Sequence, residues 1–441
     1  MPGVSNEQRC WSLQLVRRVN PYKTPMKRRK FLLDYGKILL LLSSSSLRVA
    51  DAAAGPSSAS GLITLFLCGD VMTGRGIDQV LPRPSDPRLY ESYVTNATRY
   101  VELAQTVNGP FPQRVDFSYP WGDALEELER VMPDVRIINL ETAITESDDY
   151  WKRKGINYRM HPENVLCLKA AKIDCCAIAN NHVLDWGYAG LVETLATLEQ
   201  VNVKSAGAGR NITEAKAPAV MELNDKGRVL VFAYASPTSG VPRDWAATNS
   251  RSGVNFLADL SQQTVRRITA QVQKVKRERD IVVASIHWGN NWGYEIPDEQ
   301  RNFSHQLINE AGVDVIHGHS SHHPKGIELY QDRPIMYGCG DFVNDYEGIS
   351  GHEEYRDDLV LMYLVTMQPR SGKLVRFEMV PFQIKRFRLN YVSSGDAQWL
   401  QRTMNRECAR FGGHVERSES DRWTLHMVDS AAVAARTGNP D

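Results

Sequence analysis

The chain has 441 residues, 42% of them hydrophobic, enough for one large domain or two of ordinary size. Its 52 basic and 52 acidic residues cancel to a formal charge of zero, so the overall balance argues against a nucleic-acid partner, and any grip on an acidic substrate has to be local. Seven cysteines lie scattered with no C-x-x-C pair, which argues against a zinc ribbon or a disulfide framework.

The first sixty residues differ from the rest. Arg28-Arg29-Lys30-Phe31-Leu32 is followed by Ile38-Leu39-Leu40-Leu41-Leu42 and then by Val49-Ala50-Asp51-Ala52-Ala53-Ala54. That order matches a twin-arginine export signal with an A-x-A-like cleavage site, and Met26 just before it is an alternative start. The expectation is an exported protein, periplasmic or otherwise extracytoplasmic; the competing reading is a basic tail without fixed structure. The apolar run is far shorter than the ~20 residues a bilayer span requires.

From residue 62 onward, strand-length apolar runs alternate with helix-period segments, which predicts an α/β fold. Residues 62–68 run into Gly69-Asp70. Residues 77–122 hold six prolines and no clear period, and read as a long excursion over the sheet edge that shapes a substrate pocket. Residues 135–140 end at Glu141, and residues 173–179 end at Asn180-Asn181-His182. A helix beginning near Gly187 carries the stripe Leu191, Val192, Leu195 and Leu198, and a second helix carries Val265, Ile268, Val272 and Val275. Residues 281–286 end at His287, residues 302–311 form a helix stopped by Gly312, and residues 313–316 end at His317-Gly318-His319. Residues 335–337, 359–365 and 375–380 are expected to complete a second sheet, with a terminal helix over 399–411 and a loose tail beyond about 428. The domain reading is an extension over 1–60, a main domain over 61–390 and a C-terminal helix and tail over 391–441.

Five strands thus finish on residues that bind metals or move protons, and in open α/β sheets the ligand crevice lies at the carboxyl ends of the strands. Six of the eleven histidines fall between 287 and 323. With Asp70, Glu141 and Asn181 as oxygen donors, a mixed N/O site for one or two divalent ions (zinc, manganese or iron) is expected. Such a site polarises a phosphoryl or acyl oxygen and activates water near neutral pH. His182 is placed to protonate a leaving group, Asp185 to orient that imidazole, and Arg75 to contact an anion. Each has a plainer reading: Asp70 as a turn residue, Asn181 and Asp185 as helix caps, His182 as a loop histidine. The coincidence of several ligand types at several strand ends is what favours the site.

These residues resemble the CapA capsule-synthesis proteins, a family linked to poly-gamma-glutamate production and related in fold to the calcineurin-like metallophosphoesterases. The resemblance rests on Gly69-Asp70-Val71-Met72, Asn139-Leu140-Glu141, Ala179-Asn180-Asn181-His182 with Asp185 and Gly187, and Gly207-Ala208-Gly209 with Ala215 and Pro218. It continues through His287-Trp288-Gly289, Gly318-His319 with His322, Gly326-Ile327-Glu328 and Tyr337-Gly338-Cys339-Gly340-Asp341-Phe342. It implies a four-layer α/β/β/α sandwich, with Asp70, Glu141, Asn181, His287, His319 and His322 as metal ligands and His182 as the catalytic histidine. Met72 stands where the phosphoesterases carry histidine and Glu141 where they carry aspartate, so a mononuclear or asymmetric site is one outcome. Ser320 and Ser321 occupy positions that are often histidine and proline. The resemblance implies an exported protein of capsule or poly-gamma-glutamate metabolism with a metal-dependent hydrolase site for a phosphoester or an anionic polymer's amide linkage. The alternatives are a non-enzymatic polymer-binding subunit of a membrane capsule-synthesis complex, or a general exported metallophosphoesterase.

Overall fold

Strand β1 (Ile63–Val71) is buried along its length except at Thr64, and its apolar run Leu65–Cys68 suits a strand covered on both faces. The structure, a computed structural model, describes residues 61–418 and 422–427; the twin-arginine-type segment and the tail from 428 on lie outside the described residues. On one side β1 pairs in parallel with β2 (Val135–Leu140), which pairs with β3 (Cys175–Ala177) and then with Lys204–Ala206. On its other side β1 pairs antiparallel with Leu359–Gln368, followed by Lys373–Lys385 and the hairpin of Gly413–Arg417 with Trp423–Met427.

A second sheet of six strands has β4 (Arg228–Ala235), β5 (Asp280–His287) and β6 (Val315–His319) parallel at its centre. The two sheets pack face to face. Along β4, Val229, Val231 and Ala233 share a core with β1 and β2, whereas Leu230, Phe232 and Tyr234 pack with Val265, Ile268 and Val272 of the helix Gln262–Val275. This period-2 division of one strand between two cores is what a sheet covered on both faces demands. On the outer face of the first sheet, Arg136 in β2 donates to the carbonyls of Leu128 and Ala171, at the helices Ala124–Val131 and Leu166–Ala170. The expected α/β/β/α order is therefore observed. A short strand β7 (Asp341–Val343) then returns from the second sheet to pair in parallel with β1.

Several expectations are corrected. Residues 359–365 and 375–380 belong to the first sheet, beside β1, and only Arg333–Met336 joins the second; an apolar strand pattern records burial and not the identity of the partner strand. The excursion over 77–122 contains the helix Thr98–Asn108, whose periodicity is faint because only Tyr100 and Ala104 are buried. Val192 is 39% exposed, so the core face of Gly187–Gln200 is Leu191, Leu195 and Leu198 with Thr194. The helix placed over 302–311 starts at Asp298, passes into a π-helical turn over Leu307–Ala311 and stops at Gly312, whose φ of 69° suits glycine. The C-terminal helix runs Ser394–Ala409, and the hairpin after it extends the first sheet, so this segment is built into the main body. Among the described residues no helix is long and apolar enough to cross a membrane.

Candidate metal centre

Parallel pairing delivers the strand ends to one edge. β5 and β6 are in register with His287 opposite His319, and β1 and β7 are in register with Asp70 opposite Asp341. The two aspartates end matching triplets, Cys68-Gly69-Asp70 and Cys339-Gly340-Asp341. The close approach of these turns, with Asp70 N donating to Gly340 O at 3.0 Å, leaves no room for a side chain on Gly69: a Cβ there would lie 1.7 Å from Gly340 O.

Two sets of donor atoms result, each lying within 4.8 Å of one another: Asp70 with His287 and His319, and Asp70 with His322 and Asp341. Asp70 belongs to both. In the first set His319 Nδ1 is 2.9 Å from His287 Nδ1 and 3.9 Å from Asp70 Oδ1. Asn181 Oδ1 lies 3.1 Å from His287 Nε2, and Glu141 Oε1 lies 3.8 Å from the same atom. In the second set His322 Nδ1 is 2.9 Å from Asp341 Oδ1. The Asn139 amide donates to Asp70 Oδ1 at 2.7 Å and to Glu141 Oε2 at 3.0 Å, and Asn180 holds Asn139 in turn.

The electrostatics fit a bound cation. Burial, with Asp341's charge adding to it, pushes Asp70 up to about 7, and burial together with Asp70 raises Glu141. Burial also drives His287 and His319 well down, leaving neutral imidazoles. For His322 burial opposes the charged form, yet Asp341 beside it raises the group. Buried carboxylates that repel one another, beside neutral imidazoles, form a donor set that a divalent ion would complete.

A hydrogen-bond chain aims one of these imidazoles. His317 Nε2 donates to Cys68 O at 2.7 Å, which leaves His317 Nδ1 to accept from Ser285 Oγ at 3.1 Å. Ser285 Oγ in turn accepts from His319 Nε2 at 2.8 Å. His319 therefore presents a bare Nδ1 lone pair to Asp70 and His287, the form a ligand needs. Next to it, Ser320 N donates to Asp70 Oδ2 at 3.2 Å from a backbone with φ of 107°, a strained conformation for a residue with a side chain.

His182 flanks this cluster, its Nε2 3.7 Å from Glu141 Oε1 and its Nδ1 2.6 Å from Asp185 Oδ2. Burial pushes its pKa down to about 4, Asp185 opposing and Lys154 reinforcing the shift, so the ring is neutral near pH 7. Asp185 also accepts from Tyr158 N at 2.6 Å, and Tyr158 meets the imidazole edge-on.

Arg75 departs from its expected role. It is 2% exposed, and its guanidinium donates to Asp345 Oδ2 at 3.2 Å and Oδ1 at 2.5 Å, to Glu91 Oε1 at 3.2 Å and to Tyr100 OH at 3.0 Å. Nearness to Asp70 in sequence suggested an anion contact, but two buried carboxylates already take the charge. Met72 is buried with Tyr158 and Tyr346, and Tyr346 OH stands 3.7 Å from its sulfur and 3.4 Å from His322 Nε2. A thioether and a phenol thus stand beside the His322 imidazole.

The structure brings Asp70, Glu141, Asn181, His287, His319 and His322 together, with His182 and Asp185 beside them. It adds Asp341, Ser285, His317, Tyr346 and Lys154, which the sequence reading passed over as site residues. The repeated Cys-Gly-Asp triplet was the available signal for Asp341, and the strand-end His317-Gly318-His319 was the signal for His317; Ser285, Tyr346 and Lys154 carry no local signature.

Residues 64–346 match the family model described as bacterial capsule synthesis protein PGA_cap. A Mycobacterium tuberculosis protein named "Probable polyglutamine synthesis accessory protein" is 47% identical over 355 residues, covering 80% of this chain and 93% of that one. The PGA biosynthesis protein CapA of Bacillus subtilis is 28% identical over 247 residues, 56% of this chain and 60% of its own. The capsule biosynthesis protein CapA of Bacillus anthracis is 22% identical over 324 residues, 73% and 68% respectively. Among solved structures, a novel phosphatase of Mycoplasma pneumoniae aligns with a TM-score of 0.40 at 11% identity, over 73% of this chain and 94% of that one. The chain belongs to the PGA_cap family of bacterial capsule synthesis proteins.

Proposed function

We propose that the chain is an exported, metal-dependent hydrolase of capsule or poly-gamma-glutamate metabolism, acting on a phosphoester or on an amide linkage of the polymer. The observation that carries this reading is the pair of donor sets sharing Asp70, with His182 Nε2 directed at their edge. Asp70, His287 and His319, with Asn181 and Glu141, would hold one divalent ion, and Asp70, His322 and Asp341 a second. Such ions polarise a substrate oxygen and favour attack by water. The chain's own residues do the rest. Asn139 and Ser320 N keep Asp70 oriented, Ser285 keeps His319 in its ligand form, and His182 is held by Asp185 with Nε2 free to exchange a proton with a group at the cluster. The names of the relatives support a polymer-related role, and the twin-arginine-type segment supports an extracytoplasmic location.

The test is direct. Purified protein should carry about one to two transition-metal ions per chain, and metal-loaded protein should turn over poly-gamma-glutamate or an aryl phosphate when both are offered side by side. His182→Ala should leave metal content intact and slow turnover by ~10²- to 10⁴-fold. A folded protein that takes up no metal would end this reading. The word "accessory" in the name of the M. tuberculosis relative favours a second one, a polymer-binding subunit without catalysis, which predicts bound metal and polymer but no turnover of either substrate.

A further inference from the structure

Lys154 lies in the connection between the two short strands Ala143–Ile144 and Arg159–Met160, about thirty residues before His182 and Asp185, which it meets. Its side chain is 15% exposed, and its ammonium stands 2.6 Å from Asp185 Oδ1 and 2.9 Å from His182 Nδ1 while donating to Ile156 O at 3.0 Å. Asp185 is fully buried and divides its oxygens: Oδ2 accepts from His182 Nδ1 and Tyr158 N, while Oδ1 accepts no hydrogen bond and has the Lys154 ammonium beside it as an ion pair. Two hydrogen bonds on Oδ2 and the ion pair at Oδ1 together restrain the carboxylate's terminal torsion.

The imidazole of His182 meets opposite demands at Nδ1, since Asp185 Oδ2 accepts and Lys154 Nζ donates. Proton placement there decides what Nε2 can do: with the proton on Nδ1, Nε2 offers a lone pair toward Glu141 and the metal cluster, and with it on Nε2 the ring becomes a donor. The shorter contact, 2.6 Å to Asp185 Oδ2, favours Nδ1–H, and the ammonium stands 2.6 Å from Asp185 Oδ1 as its ion-pair partner.

We propose that Lys154 is a positioning residue that completes a Lys154–Asp185–His182 relay, fixing the carboxylate so that His182 holds its proton on Nδ1 and presents the Nε2 lone pair to the metal cluster. The effect on turnover rests on the hydrolase reading above; the effect on the imidazole does not.

The experiment compares the full-length wild type with Lys154→Met and Lys154→Arg, each checked for folding by thermal melting and for metal content. Nitrogen NMR of the histidine rings, with and without added zinc, should give one Nδ1–H form for His182 in wild type and Lys154→Arg, and a mixture of tautomers in Lys154→Met. In the same proteins kcat on the better of the two test substrates should fall about 10- to 100-fold in Lys154→Met, with KM little changed, substantial recovery in Lys154→Arg, and no further loss when Lys154→Met is added to His182→Ala. A single unchanged Nδ1–H form in Lys154→Met overturns the proposal, as does a raised KM at constant kcat, which would make Lys154 a substrate contact. If the wild type turns over neither substrate, the hydrolase reading fails and the nitrogen spectra alone decide the role of Lys154. Should Lys154→Met fail to fold, Lys154→Gln takes its place in the same comparison.

Discussion

Asp70 and Asp341 stand opposite each other in register on adjacent parallel strands, each closing a Cys-Gly-Asp triplet. Both are fully buried, and Asp341 also receives Asn344 Nδ2 at 2.7 Å beside its contact with His322. Two carboxylates brought this close inside a protein repel one another, and an ion between them removes that cost.

The Asp341→Asn variant preserves shape and removes charge. Elemental analysis should show metal content lower by about one ion per chain, with the Asp70, His287 and His319 set still occupied, because a ligand set needs its deprotonated donors. An unchanged stoichiometry would remove Asp341 from the ligands.

Ser285 bonds the nitrogen of His319 opposite the one that faces Asp70, and so determines which nitrogen of His319 is bare. Ser285→Ala should weaken metal binding by about 10- to 100-fold in a chelator competition titration, while Ser285→Thr, which keeps the hydroxyl, should bind nearly as wild type. Equal affinities for all three proteins would mean that the chain from Cys68 O through His317 is structural only.

Arg75 anchors a buried network, with its guanidinium 3.9 Å from the Tyr100 ring centroid and 4.4 Å from that of Tyr158. Arg75→Met leaves Asp345 and Glu91 buried without their cation, which should cost about 3–5 kcal/mol in denaturant unfolding. A variant as stable as wild type but with a raised KM would instead return Arg75 to the substrate.

Export can be checked apart from the chemistry. Changing Arg28-Arg29 to Lys-Lys should hold the full chain in the cytoplasm, read by cell fractionation, and normal export of that variant would exclude the twin-arginine route.

The amino-acid sequence alone determined the α/β class and which polar residues stand at the strand ends. Those features are local: a strand announces itself by an apolar run, and the residue that follows it is read directly, as at Asp70, Glu141, Asn181, His287 and His319. Tertiary structure decided the rest. It moved residues 359–380 to the first sheet, placed Asp341 against Asp70, withdrew Arg75 into a pocket of carboxylates, and set Lys154 on Asp185. Apart from the repeated Cys-Gly-Asp triplet that marks Asp341, none of these has a local signature, because each depends on which strand lies beside which and on which charges meet once two sheets have packed. A side chain's partner across the fold is chosen by register and burial, and those exist only after the core has formed.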